Sequence, residues 1–145
     1  MEFAVALERM IAAPRAKVFR AWLDPELLAR WMGPDGHSVV VATVDERVGG
    51  AHVVELIGPD GGHHSFTSVI EELVPDERLV LTFKFHPESA ETLLTLTFAD
   101  AVDGGTLLRL SHERVTGDGL TGQNVNEGWS QTLAKLQTLI EGGDE

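Results

Sequence analysis

A long helix with one wide apolar face dominates the C-terminal part of this sequence. From position 125 to position 140, apolar side chains recur with the 3.6-residue period of an α-helix. The stripe consists of Val125, Trp129, Thr132, Leu133, Leu136, Leu139 and Ile140. A stripe of this width has to be buried against a second surface. The preceding residues must therefore supply one large apolar face.

We predict that this face is a β-sheet, because the middle of the chain has the two-residue period of strands with one buried side. In the segment 79–85, Leu79, Leu81 and Phe83 alternate with Val80, Thr82 and Lys84. The predicted strands are Glu2–Ile11, Ser38–Val44, Ala51–Ile57, Gly62–Val74, 79–85, Thr92–Ala101 and Thr106–Glu113. Strands that follow one another through short turns pair in antiparallel order.

Two short helices are predicted between the first and second strands. Pro14 suits the start of one helix, and Asp24 followed by Pro25 is an N-cap and first-turn pair for the next. The predicted fold class is therefore α+β, with a curved antiparallel sheet of about seven strands wrapped round the C-terminal helix. A chain of 145 residues is expected to form a single domain over residues 1–145.

The charge and composition exclude several function classes. The net charge of −12 repels phosphate backbones and anionic lipid headgroups, so we expect no nucleic-acid partner. We also expect no membrane insertion, because no stretch approaches the ~20 apolar residues of a membrane helix. The absence of cysteine excludes disulfides and thiolate metal sites. The N-terminus does not look like a signal peptide, and we expect a cytoplasmic protein.

Five segments carry a resemblance to a known family. They are Ala13–Trp22, Asp24–Pro34, Arg47–Gly50, Val74–Phe83 and Asn126–Trp129. In this order they resemble the SRPBCC or START-like superfamily and, more narrowly, the family named after the C-terminal part of the Hsp90 ATPase activator.

The resemblance implies a helix-grip fold that holds a ligand between the sheet and the C-terminal helix. Superfamily members include lipid carriers, hormone receptors and polyketide cyclases, so the fold does not choose among these functions. The Hsp90 co-chaperone has a separate N-terminal domain that makes a major contact with Hsp90. This sequence shows no counterpart of that domain, so we regard an Hsp90 interaction as doubtful.

We predict a largely apolar ligand site between the helix stripe and the concave sheet face. The residues predicted to bind the ligand are Trp31, His52, His64, Phe66, Phe83, His112, Val125, Trp129 and Leu133. His112 shares a strand face with Leu108 and Leu110, which favours an inward direction. Gly128 indicates a close approach by a strand or a ligand, since glycine costs ~1 kcal/mol inside a helix.

A histidine–carboxylate pair is predicted on the hairpin around Gly58–Gly61. If Ile57 lies opposite Gly62, then Glu55 faces His64 across the hairpin, where the two could act as an acid/base pair. The alternative is a solvated ion pair with no chemical role. The six histidines show no spacing typical of zinc, and we expect no metal and no cofactor.

Three functions remain open at this level. The first is binding of an apolar or amphipathic small molecule. The second is a cofactor-independent cyclase, dehydratase or hydrolase that uses a histidine–carboxylate pair in the pocket, such as His64 and Glu55. The third is modulation of a chaperone or another protein partner, which predicts a pocketless core and a large exposed apolar patch. A homodimer through a sheet edge or the helix is compatible with the sequence.

Overall fold

The computed structural model describes residues 3–86, 88, 90–115 and 122–142. Its elements are β1 (Phe3–Ile11), α1 (Arg15–Leu23), α2 (Pro25–Trp31), β2 (Ser38–Val44), β3 (Ala51–Ile57), β4 (His63–Val74), β5 (Arg78–Phe83), β6 (Thr92–Asp100), β7 (Thr106–Val115) and α3 (Gly122–Glu141). The predicted order of one strand, two short helices, six strands and one long helix is confirmed. Of the loop predicted at 116–122, residues 116–121 lie outside the described residues, as does Gly143 after the helix.

Within the described residues, all seven strands form one antiparallel sheet in the order β1-β7-β6-β5-β4-β3-β2. The alternation of apolar and polar residues along each strand decides which face of the sheet is buried. Leu94, Leu96 and Phe98 of β6 are buried, whereas the intervening Thr95 and Thr97 are half-buried. The inner face of the sheet is therefore continuous and apolar.

The apolar stripe of α3 is buried in the core that this inner face also forms. Leu133 and Leu136 are fully buried, and Ile140 is nearly so. Gln137 ties the C-terminal part of α3 to β1, because its amide donates to the Met10 carbonyl over 3.1 Å. This arrangement is the helix-grip architecture that the sequence predicted.

The two short helices close one side of the core. Asp24 caps α2 by accepting the Glu26 backbone N–H over 2.9 Å, and Pro25 occupies the first turn as predicted. Trp22 of α1 and Trp31 of α2 meet edge to face, with ring centroids 4.6 Å apart. Both tryptophans are core residues. No helix of the described residues is long and apolar enough to cross a membrane.

The hairpin between β3 and β4 has a different register from the predicted one. Its loop closes with the Gly58 N–H donating to the Gly62 carbonyl over 2.9 Å, so that Ile57 pairs with His63. The predicted pairing of Ile57 with Gly62 is wrong by one residue, because the loop contains five residues rather than four.

This shift in register separates Glu55 from His64. Glu55 pairs with Ser65, and His64 pairs with Leu56 on the opposite face of the sheet. Glu55 is exposed, whereas Leu56 is fully buried. The predicted acid/base pair of Glu55 and His64 does not form.

A tight turn at Gly49 and Gly50 joins β2 to β3. Gly49 has a φ of 85°, and its N–H donates to the Ile70 carbonyl over 2.8 Å. A Cβ on Gly50 would lie 2.0 Å from the Asp45 carbonyl oxygen and 2.9 Å from that of Arg47. The turn therefore needs glycine at position 50 for space and glycine at position 49 for its backbone angle.

We expect Gly50→Ala to lower the free energy of unfolding by about 2–4 kcal/mol, because the clash is with backbone atoms that can move only if the turn opens. Gly49→Ala is the matched control, since a Cβ there meets nothing within 4 Å. Its expected cost is only the left-handed backbone angle, about 1–2 kcal/mol. Urea unfolding of both variants measures the difference, and equal losses would contradict the steric argument.

Candidate functional site

A cavity of about 250 Å³ lies between the first turns of α3, the inner faces of β4 and β5, and the segment after α2. Its lining consists of Pro34, His37, His64, Phe66, Phe83, Phe85, Val125, Gly128, Trp129 and Thr132. Most of these side chains are apolar, and four of them are Phe or Trp. Pockets of this kind, apolar with a few polar groups, are typical of small-molecule sites.

The inner wall of the cavity is a cluster of aromatic rings. The centroid of Phe83 lies 5.1 Å from that of Phe66, 5.2 Å from that of Phe85 and 5.7 Å from that of Trp129. Phe83 is 3% exposed and belongs to the core. Tilted and edge-to-face contacts at these distances are the favoured geometry of aromatic pairs. The wall is therefore set by ring packing before any ligand is present.

A buried chain of hydrogen bonds runs behind this wall. The Trp129 indole N–H donates to Nδ1 of His112 over 3.0 Å. Nε2 of His112 lies 2.6 Å from the hydroxyl oxygen of Thr92, which in turn donates to the Phe83 carbonyl over 2.6 Å. An indole can only donate, so Nδ1 of His112 accepts and its proton is on Nε2, facing Thr92. Each group in the chain thus has a partner.

The same chain holds His112 in its neutral form. His112 is fully buried, and burial lowers its pKa to about 4. A second proton on Nδ1 would also face the Trp129 N–H, replacing a hydrogen bond with two opposed donors. His112 is thus a structural acceptor for Trp129 and not a base poised near neutral pH.

The mouth of the cavity has a different character, because His37 and His64 line it and Asp60 lies beside these two histidines. The rings of His37 and His64 have centroids 5.4 Å apart. A Cβ built on Gly58 would lie 3.2 Å from Nε2 of His64, 3.3 Å from Nε2 of His37 and 3.3 Å from Oδ1 of Asp60. The three polar atoms thus surround one point above Gly58.

Local hydrogen bonds define the state of two of these groups. Asp60 accepts the Gly62 N–H over 2.9 Å, and this bond is the main reason that the Asp60 pKa is lowered. Nδ1 of His37 lies 3.4 Å from the Asp35 carbonyl oxygen. A carbonyl only accepts, so the neutral tautomer of His37 that bonds to Asp35 carries its proton on Nδ1 and leaves Nε2 as an acceptor.

The structure brings five of the predicted site residues together at the cavity. They are His64, Phe66, Phe83, Val125 and Trp129. His112 lies one layer behind them, with its ring stacked 5.2 Å from that of Phe85. Its predicted inward direction is confirmed.

The other three predicted site residues lie elsewhere in the core. Trp31 donates its indole N–H to the Ala21 carbonyl over 3.1 Å between the two short helices. His52 is 2.8 Å from the Trp22 carbonyl, and burial lowers its pKa. Leu133 is fully buried on the core-facing side of α3. None of the three lines the cavity.

Five lining residues were absent from the prediction: Pro34, His37, Phe85, Gly128 and Thr132. Phe85 had a sequence signal, because it continues the two-residue period of Leu81 and Phe83. Gly128 was singled out for a close approach, but a Cβ there would meet only Pro34, at 3.8 Å. Pro34 and His37 lie in a loop whose path no periodicity predicts.

Among the described residues, no three His, Asp or Glu side chains are placed to share a metal ion. The arrangement instead combines an aromatic wall with a polar mouth. Such a cavity can hold an apolar ring inside and orient a polar substituent at its entrance.

Comparison with known proteins places these features in a family. The profile of the family described as Activator of Hsp90 ATPase homolog 1-like protein matches residues 12–141. No curated protein matches the chain. The family match covers all three helices and six of the seven strands.

Solved structures share the fold over nearly the whole chain. A crystal structure of a protein from Chromobacterium violaceum is 35% identical with a TM-score of 0.84, and the match covers 95% of this chain and 97% of that one. A Nitrosomonas europaea protein is 25% identical with a TM-score of 0.82, covering 96% and 94% respectively. The AHSA1-like protein from Aeromonas hydrophila, at 22% identity and a TM-score of 0.82, covers 97% of this chain and 93% of its own.

We expect the buried neutral state of His112 to make the protein acid-sensitive. Its pKa is about 4 in the folded chain and about 6.5 when unfolded, so the unfolded state binds more protons between these values. The contribution of His112 to stability is complete above pH 6.5 and is lost as the pH falls towards 4, by about 3 kcal/mol in total.

His112→Gln is the comparison, because its amide stays neutral throughout this range. Urea unfolding at pH 7, 6, 5 and 4 should show a steeper loss of stability in the unchanged protein than in the variant. His52 and the carboxylates are common to both proteins and cancel in the difference. If the stability of the two proteins fell in parallel as the pH was lowered, His112 would not be buried in its neutral form as described.

Proposed function

This chain belongs to the family of Activator of Hsp90 ATPase homolog 1-like proteins, and from that premise we propose that it binds a small planar aromatic molecule in the cavity beside α3. The observation that carries the proposal is the aromatic wall formed by Phe66, Phe83, Phe85 and Trp129. A flat aromatic ligand can stack on such a wall or meet it edge to face, and these contacts are more favourable than those of a flexible aliphatic chain.

The volume of the cavity limits the size of the ligand. An engineered apolar cavity of about 150 Å³ accommodates benzene. A cavity of about 250 Å³ therefore suits one or two fused rings. The cavity cannot enclose a whole sterol or a long acyl chain, so the proposal is narrower than apolar ligands in general.

The polar groups around the cavity support binding rather than catalysis. His112 is held neutral and is bonded on both ring nitrogens to Trp129 and Thr92. The Glu55–His64 pair, which the sequence offered as an example of an acid/base pair for an enzyme, does not form. A modulator of protein partners was expected to have a pocketless core, and the cavity departs from that expectation.

We expect Gly128→Ala to stabilise the protein while weakening ligand binding. A methyl group at position 128 makes an ordinary contact with Pro34, and alanine favours the helix over glycine by up to about 1 kcal/mol. The same methyl group takes up space in the cavity, because Pro34 and Gly128 both line it. Thermal unfolding and titration with naphthalene measure the two effects.

Thr138→Ala is a matched control on the exposed side of α3, where it improves helix propensity without touching the cavity. It should leave the affinity for naphthalene unchanged.

Nuclear magnetic resonance tests where the ligand binds. The indole N–H resonance of Trp129 should shift when naphthalene is added, whereas that of Trp31, which is bonded to Ala21 outside the cavity, should not. Equal affinities for the Gly128→Ala variant and the unchanged protein would contradict this placement of the ligand.

A further inference from the structure

We infer that the ligand is a hydroxyl-bearing aromatic molecule, such as a phenol or naphthol, and that His37 and His64 bind its hydroxyl group at the cavity mouth. This inference rests on the proposed aromatic binding function. Both histidines line the same cavity as Phe83 and Trp129. A ring that packs on the aromatic wall can therefore present a substituent to the two imidazoles.

The first argument is the proton position on His37. Its Nδ1 lies 3.4 Å from the Asp35 carbonyl oxygen, and the neutral tautomer that donates to this carbonyl has a lone pair on Nε2. His37 is a half-buried residue, and its Nε2 lies beside the same point above Gly58 as Nε2 of His64. A ligand group at the mouth must therefore be able to donate a hydrogen bond to His37.

A hydroxyl group meets this requirement, because it donates one hydrogen bond and accepts others. It can donate to Nε2 of His37 while it accepts from His64, whose own proton can occupy either nitrogen. A carboxylate only accepts, and it would meet the His37 lone pair with no donor. A bare aromatic hydrocarbon leaves both imidazoles without a ligand partner.

The charge near the mouth also selects against an anionic ligand. Oδ1 of Asp60 lies beside the same point above Gly58 as the two imidazole nitrogens. The hydrogen bond from the Gly62 N–H keeps the Asp60 carboxylate ionised at neutral pH. The whole chain carries a net charge of −12. Both act against the approach of a carboxylate, whereas a neutral phenol is unaffected.

Three probes with the same bicyclic ring test the inference: 2-naphthol, 2-methylnaphthalene and 2-naphthoate. Calorimetric titrations are made at pH 8, above the range in which histidines ordinarily titrate and below that of phenols. We expect 2-naphthol to bind about three- to tenfold more tightly than 2-methylnaphthalene, the increment of a neutral hydrogen bond. We expect 2-naphthoate to bind more weakly than either.

His37→Phe keeps a ring of similar size at the mouth and removes the nitrogen acceptor. It should abolish the preference for 2-naphthol over 2-methylnaphthalene, which is measured as the ratio of the two affinities so that any change common to both probes cancels. A cooperative thermal unfolding transition shows that the variant is folded, and a retained preference for 2-naphthol in the folded variant would overturn the role of His37. Thr138→Ala, away from the mouth, should preserve the preference for 2-naphthol.

The possible outcomes separate this inference from the proposed function. Equal binding of 2-naphthol and 2-methylnaphthalene would overturn the hydroxyl site but leave aromatic binding in place. Tighter binding of 2-naphthoate would overturn it as well, by showing that the mouth acts as an anion site. Binding of none of the three probes would refute the proposed function itself.

Discussion

Burial of the apolar face of α3 in the concave sheet is the interaction on which this structure depends. Leu133 and Leu136 are inaccessible to solvent, as are Leu96 and Leu108 on the inner face of the sheet. Neither surface is stable in water without the other, since each would expose a continuous apolar area. The contact is tight along the middle of the helix and opens near its first turns, where Val125 and Trp129 line the cavity. The cavity is therefore a gap in the same core.

The hydrogen-bond chain through His112 keeps this gap from collapsing. It links α3 to β7 through Trp129, then β6 through Thr92 and β5 through the Phe83 carbonyl. A buried polar chain in which every donor has an acceptor is rigid, because any shift leaves a group unpaired at a cost of about 1–3 kcal/mol. The indole of Trp129 is thus fixed in one orientation, and with it one wall of the cavity.

The sequence predicted the parts of the site that lie on periodic elements. The two-residue period gave the inward direction of Phe83 and His112, and the 3.6-residue period gave Val125 and Trp129. The sequence-based prediction failed where one residue in a turn decides the register of the strands. The five-residue loop before His63, with Gly61 at a φ of 84°, moved Glu55 to the opposite face from His64.

Residues on loops and in the packed interior were harder to predict, for opposite reasons. Trp31 and Leu133 are apolar and point inward, but periodicity cannot say whether an inward residue meets a cavity or another side chain. His37 follows two glycines with positive φ, Gly33 and Gly36, so its position depends on backbone angles that have no periodic signal.

The wall and the mouth of the cavity are formed by different parts of the chain. The sheet and α3 supply the aromatic wall, which sets the shape of the cavity and is tied into the core through Phe83 and His112. The loop after α2 and the β3–β4 hairpin supply His37, His64 and Asp60, which set the polarity of the mouth. Loops accept substitutions that a core does not. The mouth can therefore change its chemistry while the wall is kept, which is how a common fold serves ligands of different polarity.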